Sequence, residues 1–294
     1  MEYMKIMDTN KRSKYRVLID ILAKYITLCA TLFGVVMLAI LLIRIFTEGI
    51  PSINLQFLIG RLSTDPETAG ILGAVLGTLW LIIVITPVTM FFGISTAIYI
   101  ELYMKAGKLR SLLSMNIANL AGVPSIVYGI LGLTIFVRTM NLGNVVLAGG
   151  LTVALLILPI TIVTTQEALR AIPEDLTDGA YGIGATKWQA IRTVILPAAI
   201  PSIVTGFILA ISRAIGETAP LVVIGIPTLL LPFPGGIFDK FTILPMQIYY
   251  WTMDSVLVAE YANLAAGTII ILLLILLVFN LIAITIRRKY EQYY

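Results

Sequence analysis

The sequence contains no histidine. That removes the commonest general base and the commonest metal ligand together. It holds one cysteine, Cys29, inside an apolar run, so no intrachain disulfide and no multi-thiolate zinc site can form. Ser–His and Cys–His catalytic pairs are excluded, and no carboxylate pair is arranged for acid–base work. Charge is scarce too. Only 12% of the 294 residues are charged and 59% are hydrophobic, whereas soluble domains carry about 25% charged residues. A soluble core cannot hide that much apolar surface, so lipid is the expected solvent for most of the chain. The formal net charge of +4 is small, and no nucleic-acid partner is expected.

What is present is a series of long apolar runs. Six are long enough to span: Asp20–Ile45, Ala69–Phe92, Ser111–Val137, Gly143–Thr165, Ile200–Gly225 and Tyr261–Ile286. A helix needs about 20 residues to cross the hydrocarbon. The runs are continuous, without the ten-residue alternation of a barrel, which predicts helices. The first run follows a basic segment and is too long for the apolar core of a signal peptide. No small-x-small cleavage pattern follows it, so an uncleaved first span is expected. Gly73 and Gly77 have the G-x-x-x-G spacing that lets helices approach closely, although small residues are common in membrane helices anyway.

Lysine and arginine orient the spans. With the N-terminus inside, fifteen of the twenty basic residues are cytoplasmic, at the N-terminus, in the second-to-third and fourth-to-fifth connections and in the tail. Arg44, Arg61, Arg138 and Lys240 fall outside, and Arg213 lies inside the fifth span. The expected organisation is a basic cytoplasmic segment (1–19), a first span with its outer loop (20–68), a transport domain (69–286) and a basic cytoplasmic tail (287–294). Two outer connections are long. Thr47–Thr68 contains Pro51 and Pro66, and Ile226–Glu260 contains Pro227, Pro232, Pro234, Pro245 and Gly235-Gly236. They are either plain connectors or a gate or docking surface.

The cytoplasmic connection 166–197 carries the most information. Pro173 stops the fourth span, and Glu174 and Asp175 suit the positive start of a new helix. Gly182 and Gly184 interrupt it. A second short helix is expected over Lys187–Ile195, ending at Pro197. Apolar Leu176, Ala180, Tyr181, Ile183, Trp188 and Ile191 must pack under the bundle or enter a groove on a partner.

This connection resembles the EAA loop of binding-protein-dependent ABC importer permeases. Leu196-Pro197 matches the closing Leu-Pro, Val194 the aliphatic position, Gly184 the glycine, and Asp178, Gly179 and Ala180 the EAA triplet, with Asp for Glu and Gly for Ala. A wider resemblance, from about Ala69 onward, is to phosphate importer permeases of the PstA and PstC kind. Its blocks are Ala69–Thr78, Gly122–Gly129 (GVPSIVYG), Ser212–Leu221 (SRAIGETAPL) and Leu244–Tyr249 (LPMQIY), nearer the PstA pattern. The resemblance implies an all-α, six-helix type I importer permease in the cell membrane with both termini cytoplasmic. It implies a homologous permease partner of the PstC type, two ATPase subunits of the PstB type gripping Asp178–Gly184, and an external phosphate-binding protein. ATP and magnesium then belong to the ATPase subunits. The chain itself has no Walker A loop: Gly182–Lys187 lacks the glycine before lysine and a preceding strand. It is expected to be a transport subunit, not an enzyme.

Arg213 and Glu217 stand four residues apart in the fifth run, expected near the middle of one helix and on one face. An arginine at a helix centre costs roughly 2.5–3.5 kcal/mol. Either the pair neutralises itself and fixes packing, or Arg213 faces a polar path where its fork of donors meets an oxyanion. Ser212 and Thr218 could add hydroxyls to such a path or bond their own backbone. Ser125 and Tyr128 beside Pro124 either satisfy a kink or line the path. Glu101 with Tyr103, Lys105 and Lys108 reads as a solvated interfacial helix. The alternatives to a phosphate permease are a permease for another oxyanion or a phosphonate, an ATP-independent transporter, and a non-transporting scaffold.

Overall fold

A computed structural model describes residues 2–226 and 233–290 of the chain. Pro227 and Pro232 of the second outer connection, and residues 291–294 of the tail, lie outside the described residues. The chain divides into two units, Met1–Glu48 and Gly49–Tyr294.

The first unit is a single helix, α1, Glu2–Gly49. Helix was expected only from Asp20, but the basic segment is helical as well. Its first glycine is Gly34 and its first proline Pro51, so nothing earlier interrupts the backbone. Near its end Arg44 pairs with Glu48 at 2.8 Å, one turn apart.

In the second unit a short helix α2 (Leu55–Ile59) precedes α3, which starts at Leu72 and continues through π turns to Tyr103. Then come α4 (Lys108–Leu120), α5 (Ser125–Gly132, extended to Thr139), α6 (Val146–Arg170), α7 (Glu174–Gly182) and α8 (Lys187–Ile215). The chain ends with α9 (Ala219–Ile224), α10 (Leu244–Asp254) and α11 (Glu260–Tyr290). Among the described residues the one β feature is an isolated bridge between Val145 and Lys240. Among the described residues, five helices are long and apolar enough to cross a membrane, and α4 with α5 make a sixth crossing if the bent pair is counted as one.

In that sixth crossing the kink expected beside Pro124 is a full break between two helices. α4 and α5 meet at 95°. Pro124 cannot donate to the helix ladder, and it disfavours helical backbone at the preceding residue. Helix α6 is the centre of the bundle. Two-thirds (67%) of its most apolar window is buried, against 33% in α3 and 22% in α11. Val153, Leu156 and Ile157 of α6 share one core with Leu81, Val84 and Ile85 of α3 and Ile211 and Ile215 of α8. Small residues permit the closeness: a Cβ on Gly150 would stand 2.5 Å from Val84 Cγ1.

Gly77 also makes a close approach, but not to a helix. A Cβ there would stand 1.9 Å from the backbone oxygen of Thr242, while one on Gly73 would make ordinary contact with Phe233. The described parts of the outer connections are therefore structured. Asn54 caps α2 by accepting from the Phe57 amide at 2.7 Å. Phe57, Leu62 and Ile71 pack with Trp251, Tyr261 and Leu264 in a second core. The Tyr261 hydroxyl donates to the Thr64 carbonyl at 2.6 Å, and the Trp80 indole donates to Pro234 at 3.0 Å.

Candidate functional site: a charged helix break and a basic-end knob

Arg213 and Glu217 do not share one helix. Helix α8 ends at Ile215, where Gly216 caps it and the Gly216 amide donates to the Arg213 carbonyl at 3.1 Å. Pro220 at the start of α9 fixes the next helix as a separate element. Arg213 thus sits in the last turn of α8, where the negative end of the helix favours a cation. Its Nε donates to Glu217 Oε1 at 3.4 Å, a long bond. The Arg213 side chain is 48% exposed and that of Glu217 17%. Among the described residues this one weak bond leaves most of the guanidinium's donors open.

Ser212 turns away from this pair and lies 3.3 Å from Asn280 Oδ1 on α11. Thr218 is half-buried, and its carbonyl accepts from the Leu221 and Val222 amides at the start of α9. Asn280, which also donates to the Leu276 carbonyl, escaped the sequence reading. Its signal was there: a lone amide in the apolar stretch 269–284.

The second interrupted crossing lies against this one. A Cβ on Gly129 would stand 2.8 Å from Pro220 Cα and 3.0 Å from Val223 Cβ, so α5 and α9 touch almost backbone to backbone. Tyr128 is buried, and its hydroxyl donates at 2.9 Å to the carbonyl of Leu120 at the end of α4, which also accepts from the Val123 amide at 3.1 Å. Ser125 opens α5, half-buried and, among the described residues, with no side-chain hydrogen bond. The structure therefore brings Ser212, Arg213, Glu217 and Thr218 to one break, and places Ser125 and Tyr128 at the break of the neighbouring crossing.

The knob forms as two helices about a turn. Gly184 has φ +85°, a left-handed conformation that glycine adopts at no steric cost. Thr186 then caps α8 reciprocally. Its amide donates to Gln189 Oε1 at 2.8 Å, and the Gln189 amide donates to Thr186 Oγ1 at 3.4 Å. Asp178, Gly179 and Gly184 are exposed, Ala180 is buried, and Leu196 and Pro197 are half-buried. Of the apolar knob side chains, Ala180 and Ile191 turn inward. Ile183 (88% exposed), Trp188 and Tyr181 face outward.

Two expectations fail here. The helix that starts at Lys187 does not end at Pro197 but runs on to Ile215. A π turn over Ile191–Ile195, in which the Leu196 amide donates to the Ile191 carbonyl, lies just before the proline and accommodates it. Nor is Glu101 solvated. Its side chain is 9% exposed and accepts from Arg170 Nε and Nη2, both at 3.0 Å, and from Arg110 Nη2. Two residues on, the Lys187 ammonium lies 4.9 Å from the centre of the Tyr103 ring, so the knob rests on the end of α3.

Residues 89–292 match the family model described as "binding-protein-dependent transport system inner membrane component". The phosphate transport system permease protein PstA of Yersinia pestis is 31% identical, over 98% of this chain and 95% of that protein. A probable ABC transporter permease protein of Bacillus subtilis, YqgI, is 28% identical over 87% and 90%. Among solved structures, a bacterial alginate ABC transporter in complex with its substrate-bound periplasmic protein superposes with a TM-score of 0.64, covering 92% of this chain and 95% of that one at 16% identity. The MetNI methionine ABC transporter gives 0.59, covering 78% and 100%, also at 16% identity. The shared feature is the all-helical permease fold.

Proposed function

Because the chain belongs to the family of binding-protein-dependent transport system inner membrane components, we propose that it is the membrane-spanning permease subunit of an ATP-driven phosphate importer. Its relation to a phosphate permease over nearly the full length of both chains supports the substrate. The single observation in the structure that carries the reading is the half-open guanidinium of Arg213 at a helix break.

A charged side chain in a crossing usually faces a bundle interior or a water-filled cavity. A guanidinium with free donors matches an oxyanion there. Glu217, held to Arg213 by one long bond, accepts a hydrogen bond from a protonated phosphate. Sulfate carries no such proton near neutral pH, so the carboxylate repels it. The site is necessarily weak, since a deep well would hold the anion instead of passing it. Ser125 and Tyr128 stand at the neighbouring break. Tyr128 serves the path by holding the bend, because its hydroxyl is already committed to Leu120.

In this reading an external binding protein delivers phosphate to the outer connections, and the chain pairs with a homologous permease of the PstC type. Two ATPase subunits of the PstB type, which carry the ATP and magnesium, grip the Asp178–Gly184 region of each permease. Leu196 and Pro197 join that grip to α8, and so to Arg213 at its far end. Domain 69–286 is the transporting part, with its coupling loop at 166–197.

The test is uptake into vesicles holding this chain together with its co-purifying subunits. ATP-dependent uptake of labelled phosphate, with little uptake of sulfate and loss of transport in Arg213→Gln, is the expected result. Equal sulfate uptake would overturn the phosphate assignment, and unchanged transport in Arg213→Gln would overturn the placement of the path.

A further inference from the structure

At the basic end, between the start of α4 and the end of α6, lies an open cavity of about 490 Å³. Arg110, Arg170, Ser111, Ser114 and Met115 line it. We propose that this cavity binds a phosphate group, either the headgroup phosphodiester of an anionic lipid or free orthophosphate, at a site separate from Arg213.

One carboxylate, Glu101, serves two guanidiniums. Arg170 uses Nε and Nη2 on it, and Arg110 uses Nη2. Among the described residues, Arg170 Nη1 and Arg110 Nη1 and Nε have no protein acceptor. The Arg170 side chain is 53% exposed and that of Arg110 24%, while that of Glu101 is 9% exposed. Both arginines line the cavity, and Glu101 is not among its lining residues. Holding both arginines on one buried acceptor also fixes two forks in advance, which lowers the ordering cost of binding a planar or tetrahedral oxyanion.

The hydroxyls agree. The buried amide of Gln166 approaches Ser114 Oγ at 3.5 Å through Nε2. Oγ acts as acceptor there, so the Ser114 proton is free to donate elsewhere. Ser111, one turn earlier on the same helix, is exposed at the cavity. Charge agrees as well. Glu167 lies near Arg170 and offsets part of the local excess, but exposed Lys105 and Lys108 flank the rim.

The position suits a phosphate of either origin. This end carries the basic residues assigned to the cytoplasm, where anionic headgroups collect. Leu109, Leu112 and Met115, all exposed on α4, give acyl chains an apolar face beside the charged one. Free orthophosphate needs only the arginines and serines.

The test uses Ser111→Glu in the full chain, purified with whatever subunits accompany it. This change places a carboxylate in the cavity without touching the Glu101 cluster, near a helix start where an acid is tolerated. Ser111→Gln, of the same size and neutral, is the control, and an unchanged thermal midpoint verifies folding. In the lipid arm, phosphatidylglycerol and phosphatidylcholine retained per protein are counted by mass spectrometry. Retention of phosphatidylglycerol over phosphatidylcholine that falls about tenfold in Ser111→Glu and holds in Ser111→Gln assigns the headgroup; a charge-assisted contact is worth about this much. In the second arm, labelled orthophosphate binding is measured in an Arg213→Gln background, so that any path site is silent. Binding that Ser111→Glu abolishes assigns free phosphate. If neither probe responds to Ser111→Glu, the cavity is no phosphate site, and the proposal is overturned without bearing on transport.

Discussion

Two Arg–Glu pairings of the second unit are treated in opposite ways. Glu101 is almost covered and takes three bonds from two arginines on different elements. Glu217 takes one bond of 3.4 Å from an arginine that stays nearly half exposed. A carboxylate saturated by its own protein ties elements together. A guanidinium left unsaturated is available to something else. Residue type therefore does not distinguish scaffold from path here. The count of donors left over does.

The largest effect that separates the two is expected at Arg213. Arg213→Gln should lower phosphate uptake about 10- to 100-fold, the scale of one lost charge-assisted bond, while shifting the thermal midpoint little. A large loss of stability with normal uptake per folded complex would make the two pairs alike. Glu101→Gln should do the reverse. It should cost about 1–2 kcal/mol in stability, less than for a fully buried pair because Arg170 is half in solvent, and per folded molecule uptake should fall far less. Thermal unfolding of both variants in one lipid preparation reads the contrast directly.

Smaller effects sharpen the comparison at the two breaks. Tyr128→Phe removes the bond that ties α5 to the Leu120 carbonyl, so about 1 kcal/mol of stability should be lost. If the Tyr128 hydroxyl served substrate instead, uptake would fall with no change in unfolding. At the knob, a Cβ on Gly184 or Gly179 meets open space. Only Gly184 has positive φ, so Gly184→Ala should cost roughly 1–2 kcal/mol of local backbone strain and weaken ATPase co-purification, whereas Gly179→Ala should leave local folding intact. Equal behaviour of the two variants would place the conformational demand elsewhere.

Hydrophobic run length gave the crossings, because burial in lipid is written residue by residue. The interruptions were harder to read. Ser111–Val137 stays apolar through its bend, and in Ile200–Gly225 the charged pair fits an unbroken helix as well as a broken one; hydropathy is blind to where a backbone amide is missing. Pro124 marked the first bend; Gly216 and Pro220 marked the second only in retrospect. The turn at Gly182–Gly184 was visible because glycines advertise positive φ. Arg170 lies 69 positions from Glu101, and no local pattern announces a partner that distant. Pro197 misled for the opposite reason: its usual effect as a helix stop was absorbed by a π turn whose five-residue bonding leaves no mark in composition.

The contact at Gly77 sets a rule for movement. There is no slack between that residue and the main-chain oxygen of Thr242, and the Leu244 amide is tethered to Thr78 Oγ1 one residue further along, at 3.1 Å. A seam so tight cannot slide by even the width of a methyl. The second crossing and the descending lip at 241–244 therefore travel as one block, and a passage that opens outward must part along some other line.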